Sequence, residues 1–208
     1  MKKIIAPLAL FTLTLSGVIA AQPPASEWEI GPVIRGRNHS IGMPATMQPG
    51  TQGPSFNFPQ NGRGEVHYVS LRTGPLEGAQ RITVRYRVDA RPGTRFIAQE
   101  TQGQGKVGLA LHRAGDTWTA RGRFEAYRWY SPAFVPIEPG VHTISVRLDD
   151  PGWGAVMTST ARTNPAAFAA TLADTDAVSL TFGGDGGRGH GVYADGTARF
   201  TLLDFRID

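Results

Sequence analysis

The strongest constraint on the fold of this sequence is a two-residue alternation of apolar and polar side chains in short segments along the chain. Residues 81–89 read RITVRYRVD, and residues 143–148 read TISVRL. This period places the apolar side chains on one face of a β-strand and the polar ones on the other. Glycine and proline, which make up 26 and 15 of the 208 residues, separate such segments. The pattern therefore predicts an all-β protein of short strands joined by turns.

Similar patterns of apolar residues between turn signals define the predicted fold class. Residues 198–207 are apolar on both faces, since Phe200 lies opposite Phe205 in the alternation, and this predicts a central strand buried on both sides. About ten short strands without an internal linker fit an antiparallel two-sheet β-sandwich of the jelly-roll type. We predict one such domain over residues 21–208. Further strands are predicted at residues 28–34, 55–58, 65–71, 94–99, 107–113, 122–129, 155–158 and 177–182.

One short helix is predicted among the strands. Asn164 is a residue type that caps helix N-termini, Pro165 suits the first helical position, and the segment AAFAATLA follows. Phe168 and Leu172 lie four residues apart and therefore share one face of a helix. We predict a peripheral helix over residues 164–173.

The N-terminus has the layout of a secretory signal peptide. Two lysines precede an apolar run over residues 4–15, and small residues lead to Ala20. This order predicts a signal peptide over residues 1–20, with cleavage after Ala20 or one residue later. The mature protein, residues 21–208, is then periplasmic or secreted and has no transmembrane segment. An uncleaved membrane anchor is the alternative.

The charge balance argues against nucleic acid as a partner. Removal of the signal peptide takes away Lys2 and Lys3 and lowers the formal net charge from +4 to +2. A nearly balanced domain lacks the basic surface that binds phosphate backbones. The sequence also contains no cysteine, which excludes disulfides, thiolate metal sites and cysteine nucleophiles.

Common enzyme and cofactor motifs give no assignment, since the sequence contains neither HExxH nor GxSxG. Residues 184–189 match the glycine-rich dinucleotide motif, but no helix pattern follows, and we interpret them as a hairpin loop. We predict no cofactor. Asp149 and Asp150 precede Pro-Gly, which favours a turn, with a structural calcium site as the alternative.

The strongest candidate for ligand binding is the aromatic cluster from Tyr127 to Tyr130. On a strand, Tyr127 and Trp129 share one face, and Arg128 and Tyr130 share the other. Exposed aromatic rings stack on the apolar face of sugar rings, and arginine donates hydrogen bonds to hydroxyl or carboxylate oxygens. The alternative is that Tyr127 and Trp129 are large core residues. Further candidates for this aromatic platform are Trp118 and Trp153.

Two polar loops are the next candidates. The first carries Arg35, Asn38 and Ser40 beside a predicted strand, a composition that suits the rim of a ligand site. The second carries His190 and Tyr193, which have the chemistry of the base and the acid of a polysaccharide lyase. The alternative for both is an ordinary solvated loop.

Two segments carry a family resemblance. The chain closes with ARFTLLDFRID, and the segment DDPGWGAV places Trp153 after an acidic turn. Together with the signal peptide and the length of the chain, these segments resemble the galactose-binding-like jelly-roll superfamily, which includes many carbohydrate-binding modules. The resemblance implies a jelly roll whose final strand lies beside the first, and a glycan ligand. Fold alone does not determine function.

Three functions remain open. The first hypothesis is an exported, non-catalytic protein that binds a polysaccharide or glycan. The second is an exported structural or assembly protein, and the third is a polysaccharide lyase or glycosidase. Convergence of Trp129, Arg35 and His190 on one cleft favours ligand binding, whereas scattered positions favour the structural role.

Overall fold

A computed structural model describes residues 22–185 and 188–208 of the chain. The predicted signal peptide, residues 1–20, lies outside the described residues, as do Ala21 and two glycines of the 184–189 loop. Helix α1 spans Pro165–Ala173. The strands are β1 (Trp28–Gly31), β2 (Val33–Ile34), β3 (Arg37–Asn38), β4 (Ser55–Asn57), β5 (Tyr68–Arg72), β6 (Arg81–Ala90), β7 (Phe96–Ala98), β8 (Lys106–Arg113), β9 (Arg128–Tyr130), β10 (Val135–Pro136), β11 (Gly140–Arg147), β12 (Gly154–Ala155), β13 (Thr175–Gly183), β14 (Val192–Ala194) and β15 (Ala198–Ile207).

These strands form two main antiparallel sheets. One has the order β1-β5-β13-β8-β9-β12, with β10 paired to the start of β8, and the other has the order β11-β6-β15-β4. Two small ribbons, β2 with β3 and β7 with β14, complete the fold. The predicted all-β sandwich with one short helix is confirmed. No helix within residues 22–185 and 188–208 is long and apolar enough to cross a membrane.

The core lies between the two main sheets, because each presents its apolar face to the other. In β6 the alternation buries Ile82, Val84 and Tyr86 completely. Phe182 of the seven-stranded sheet contacts Phe200 of the four-stranded sheet edge-on, with ring centroids 5.8 Å apart. Edge-on aromatic pairs of this kind stabilise a core beyond the area that they bury.

Strand β15 differs from the prediction of burial on both faces. Its register against β6 shifts between Leu202 and Asp204. This β-bulge reverses the alternation along β15. Phe200 is therefore paired with Val88 of β6 and Phe205 with Val84, and both partners are core residues. The prediction is wrong because one bulge directs both apolar sets to the same face.

The resemblance implied that the final strand lies beside the first. The structure differs, since β15 does not pair with β1. Its neighbours are β6 and β4 in the four-stranded sheet, whereas β1 is at the edge of the seven-stranded sheet. The two strands meet across the core, where the rings of Trp28 and Phe205 pack edge-on with centroids 5.1 Å apart.

Helix α1 confirms the predicted helix. The Asn164 side-chain oxygen accepts a hydrogen bond from Ala167 N at 3.3 Å and so caps the first turn. The buried ring of Phe168 packs on Trp129 and Trp153, with centroids 5.0 and 5.9 Å away. The helix therefore covers one end of the core.

Candidate functional site

The predicted aromatic cluster lies on β9 and in the turn before it. As the alternation predicts, Trp129 and the pair Arg128 and Tyr130 lie on opposite faces of the sheet. Trp129 is 0% exposed in the core, and Arg128 and Tyr130 are buried on the other face, at 6% and 3%. Tyr127 is half-buried beneath the Arg113 guanidinium, 4.9 Å from its ring centroid. The exposed platform predicted at these residues is therefore wrong, because other parts of the chain cover both faces.

Trp153 is likewise unavailable for stacking on a ligand. It is 0% exposed, and its indole Nε1 donates a hydrogen bond to the Arg147 carbonyl at 2.8 Å. The preceding turn forms as predicted, since Asp150 Oδ1 accepts a hydrogen bond from Gly152 N at 2.7 Å. The neighbouring Asp149 pairs with Arg147.

The first polar loop uses its side chains to hold the chain itself. Asn38 donates to the Ile30 carbonyl at 2.8 Å. Ser40 Oγ donates to the Gly31 carbonyl at 2.6 Å and accepts from His67 N at 2.9 Å. Only Arg35, exposed in the turn between β2 and β3, keeps its side chain at the surface. The three residues therefore do not form the rim of one ligand site.

The two candidates of the second loop contact different partners. His190 is 58% exposed, with Nδ1 3.3 Å from Glu100 Oε2. Tyr193 is 8% exposed and donates its hydroxyl proton to Gln102 Oε1 at 3.0 Å. Trp129, Arg35 and His190 are scattered, and none of them lines the main cleft of the described chain.

That cleft lies on the outer face of the seven-stranded sheet, which is turned away from the four-stranded sheet. Its volume is about 570 Å³, within the range of small-molecule sites. Alternation along β5 directs Ser70 and Arg72 outward, and the register places Ser70 opposite Glu29 of β1 and Ser179 of β13. Side chains that line the cleft include Glu29, Ser70, Arg72, His112, Asp116 and Trp118.

The loop between β8 and β9 covers part of this outer face. Trp118 has a φ of 64°, and its backbone N donates to Asp116 Oδ1 at 2.9 Å. The half-buried Trp118 ring packs edge-on against Tyr68, with centroids 4.9 Å apart, and the Arg128 guanidinium lies 4.2 Å from its centroid. Positive φ is uncommon for residues other than glycine, and these contacts hold the ring in place.

Four polar side chains form a continuous chain beneath this loop, which we call the polar chain: Ser70, Ser179, His112 and Asp116. Ser70 Oγ lies 2.6 Å from Ser179 Oγ, and Ser179 Oγ lies 2.8 Å from His112 Nε2. His112 Nδ1 lies 3.5 Å from Asp116 Oδ2, which is the longest contact in the series. Ser70 is half-buried and lines the cleft, whereas Ser179 and His112 are 0% and 5% exposed.

The charges at the far end of the polar chain are fixed by burial and pairing. Arg128 donates from Nε and Nη2 to the two carboxylate oxygens of Asp116, at 2.9 and 3.1 Å. Burial alone would raise the pKa of Asp116, but hydrogen bonds from His112 and Arg128 outweigh it and lower that pKa to about 2. Burial lowers the pKa of His112 below its ordinary value, which keeps the imidazole neutral near pH 7.

Two tyrosines and an arginine lie at the other end of the outer face: Tyr68, Tyr130 and Arg188. Tyr68 and Tyr130 share a hydrogen bond of 2.8 Å between their hydroxyl oxygens. Arg188 lies over the Tyr130 ring, 4.7 Å from its centroid. Burial and the neighbouring Tyr130 raise the pKa of Tyr68 well above its ordinary value, so the Tyr68 hydroxyl stays protonated. Arg128 and Tyr130 thus belong to the buried surroundings of the cleft.

No protein-family model and no curated protein matches the chain. The resemblance to the galactose-binding-like superfamily therefore stays a prediction. Within the described part of the chain, no group of three or more His, Asp or Glu side chains is arranged to hold a metal ion.

The polar chain was not predicted from the sequence, and Trp118 is the one residue of the cleft lining that the sequence offered as a binding candidate. Ser70, His112 and Ser179 each occupy an alternating strand position that faces outward. The alternation along these strands was a signal, because it places small or polar residues on one face and large apolar residues on the other. It could not indicate that the loop between β8 and β9, residues 114–121, would place Trp118 and Asp116 beside His112.

Proposed function

We propose that the protein is an exported, glycan-binding β-sandwich protein whose binding site is the cleft on the outer face. The observation that carries the proposal is the position of Trp118, a half-buried aromatic ring that lines the cleft together with hydrogen-bonding side chains. Trp118 thus replaces Trp129 and Trp153 as the aromatic residue of the site, since both of these are enclosed in the core.

The lining of the cleft combines the two kinds of contact that sugars need. The indole ring of Trp118 offers an apolar surface for the C–H groups of a sugar ring. Glu29 and Ser70 lie opposite each other on adjacent strands, and both face the cleft. A carboxylate accepts hydrogen bonds from sugar hydroxyls, and a serine hydroxyl can both donate and accept.

The charges favour a neutral glycan over an anionic one. Arg72 Nη1 lies 2.6 Å from Asp176 Oδ2, and Arg113 Nε lies 3.0 Å from Asp174 Oδ2, so both arginines at the cleft are paired with acids. Among residues 22–185 and 188–208, Glu29 has no ion-pair partner. An unpaired carboxylate attracts hydroxyl donors and repels a uronate.

Affinity electrophoresis of the mature protein tests this proposal. We expect retardation in native gels that contain a neutral glucan, galactan or mannan, and less retardation with a polyuronate. One stacked ring contributes about 1 kcal/mol, so Trp118→Ala should weaken binding about five-fold. Glu29→Gln should also reduce the retardation. Glu27→Gln is the matched control, because it removes the same charge two residues away, outside the cleft. Its mobility with polysaccharide, relative to its mobility without, should equal that of the wild type.

The structural or assembly role is the second candidate, and the scatter of Trp129, Arg35 and His190 favours it. It predicts no retardation by any polysaccharide and no mobility difference between Trp118→Ala and the wild type. Equal retardation of the wild type and both cleft variants would place glycan binding elsewhere and refute the site proposed here.

A further inference from the structure

The hydrogen bonds of the polar chain have only one consistent direction. Asp116 is ionised and therefore only accepts, so the neutral His112 must carry its proton on Nδ1 and donate it to Asp116. Nε2 of His112 then lacks a proton and accepts from the Ser179 hydroxyl. Because the Ser179 proton is directed to His112, the short 2.6 Å contact requires Ser70 to donate to Ser179. Both hydroxyl protons of the chain are thus directed toward His112.

This direction matters chemically because Ser70, the donor at the start of the chain, is half-buried and lines the cleft. Its proton is committed to Ser179, so the lone pairs of Ser70 Oγ are left for the cleft. An activated nucleophile is a hydroxyl group that donates its proton toward a neutral histidine, while the other ring nitrogen of that histidine donates to a carboxylate. Ser70 has this arrangement. Here Ser179 is inserted between the serine and the histidine.

We propose that Ser70 is the nucleophile of an ester-hydrolysing site in the cleft, and that Ser179 and His112 take up its proton. This inference goes beyond glycan binding, because it assigns a covalent reaction to the cleft and does not depend on which ligand the cleft binds. Its substrate class is a carboxylic ester small enough to enter a cleft of about 570 Å³.

The reaction balances with water as the only co-reactant. Attack of Ser70 Oγ on the ester carbonyl forms the Oγ–C bond, while its proton passes to Ser179 and the Ser179 proton passes to His112 Nε2. Collapse of the adduct breaks the bond to the alcohol oxygen, which leaves as an alkoxide and takes a proton from water. The resulting hydroxide attacks the acyl group, and cleavage of the Oγ–C bond releases the acid. His112 then returns its proton through Ser179 to Ser70.

Two charged groups support this sequence of steps. Asp116 lies beside His112 and stabilises the imidazolium that forms when the proton arrives, and Arg128 holds that carboxylate in place.

Covalent labelling tests the proposal on the mature wild-type protein. We expect a fluorophosphonate to add one phosphonyl group, which peptide mass spectrometry locates on Ser70. We also expect hydrolysis of p-nitrophenyl acetate above the buffer rate. Ser70→Ala should abolish both signals, and Ser179→Ala should slow labelling of Ser70 by about 10²-fold, since it interrupts proton transfer. Ser145→Ala, an exposed serine on the other sheet, is the control and should leave both signals unchanged.

Absence of a label, or a label on any serine other than Ser70, overturns the proposal. So does a Ser179→Ala variant that folds and labels at the wild-type rate, because a purely structural polar chain would give that result. If Ser179→Ala does not fold, the position of the label in the wild type decides. The electrophoresis with polysaccharides contains no ester, so failure of glycan binding and failure of labelling are separate results.

Discussion

Replacing Asp116 with asparagine removes the charge that holds the loop 114–121 on the outer face. The side chains of Asp116 and Arg128 are only 5% and 7% exposed, and they share two hydrogen bonds. The Asp116→Asn variant leaves the Arg128 guanidinium buried without a counter-charge. Breaking a buried pair in this way costs about 3–5 kcal/mol, so we expect the free energy of unfolding at pH 7 to fall by that amount.

The pKa of Asp116 gives the pH dependence of this loss. Folding lowers that pKa from 3.8 to about 2. The unfolded chain therefore takes up the proton first as the pH falls, and the ionised carboxylate stabilises the fold above pH 5 by about 2 kcal/mol. This contribution is lost as the pH falls from about 4 to 2. The stability difference between the wild type and Asp116→Asn should therefore narrow by about 2 kcal/mol between pH 5 and pH 2.

Urea unfolding of the wild type and the variant, followed by tryptophan fluorescence at pH 7, 5 and 2, measures both effects. Asp149→Asn is the matched control, because Asp149 pairs with Arg147 at an exposed site where ion pairs contribute little. It should leave the urea midpoint unchanged. A loss below about 1 kcal/mol for Asp116→Asn at pH 7 would refute the buried-pair reasoning. A difference that stays constant from pH 5 to pH 2 would refute the depressed pKa.

Three further substitutions test the packing. Trp129→Ala should cost about 3–5 kcal/mol in urea unfolding, because its ring is enclosed in the core, and a loss below about 1 kcal/mol would place it at the surface. Gly53→Ala should lower the thermal midpoint more than Gly74→Ala does. Both glycines have positive φ, but a Cβ on Gly53 would overlap the Leu202 carbonyl oxygen, whereas one on Gly74 meets open space; equal midpoints would contradict this. Asn164→Ala should cost about 1 kcal/mol by thermal unfolding, and no change would mean that the cap does not hold the helix.

Alternation along the chain predicts the strands well where one face is polar. Strand β6 was predicted over residues 81–89 and spans Arg81–Ala90. The same reasoning was wrong for residues 122–127, where Gly122 has a φ of 57° and the chain forms a 3-10 turn at Gly122–Phe124 in place of a strand. Alternation also did not reveal the bulge in β15. A bulge exchanges the two faces of a strand, and this exchange leaves no mark in the sequence where both faces are apolar.

Periodicity could divide the aromatic cluster between two faces but could not say what covers each face. Tyr127 to Tyr130 alternate as predicted, yet both faces of β9 are buried, one by the core and helix α1 and the other by the loop that carries Trp118. That loop crosses the sheet in a conformation with positive φ at Trp118 and Ala120. Residues of these types give no local signal for such a conformation, so the sequence placed the binding surface on β9 itself.

The polar chain depends on strand pairing that no local pattern encodes. Ser70 and Ser179 are 109 residues apart in sequence, and Ser179 and His112 are 67 apart. Their contribution to the free energy of unfolding does not explain why these three positions are polar. Replacing buried polar partners by apolar groups of similar shape is often neutral or stabilising. Their hydrogen bonds run in one direction from Ser70 to Asp116, and the Asp116–Arg128 pair also anchors the loop that shapes the cleft. The side chains of His112 and Asp116 therefore both line the cleft and direct the Ser70 proton. A change at Asp116 should for this reason affect both the stability and the chemistry of this face.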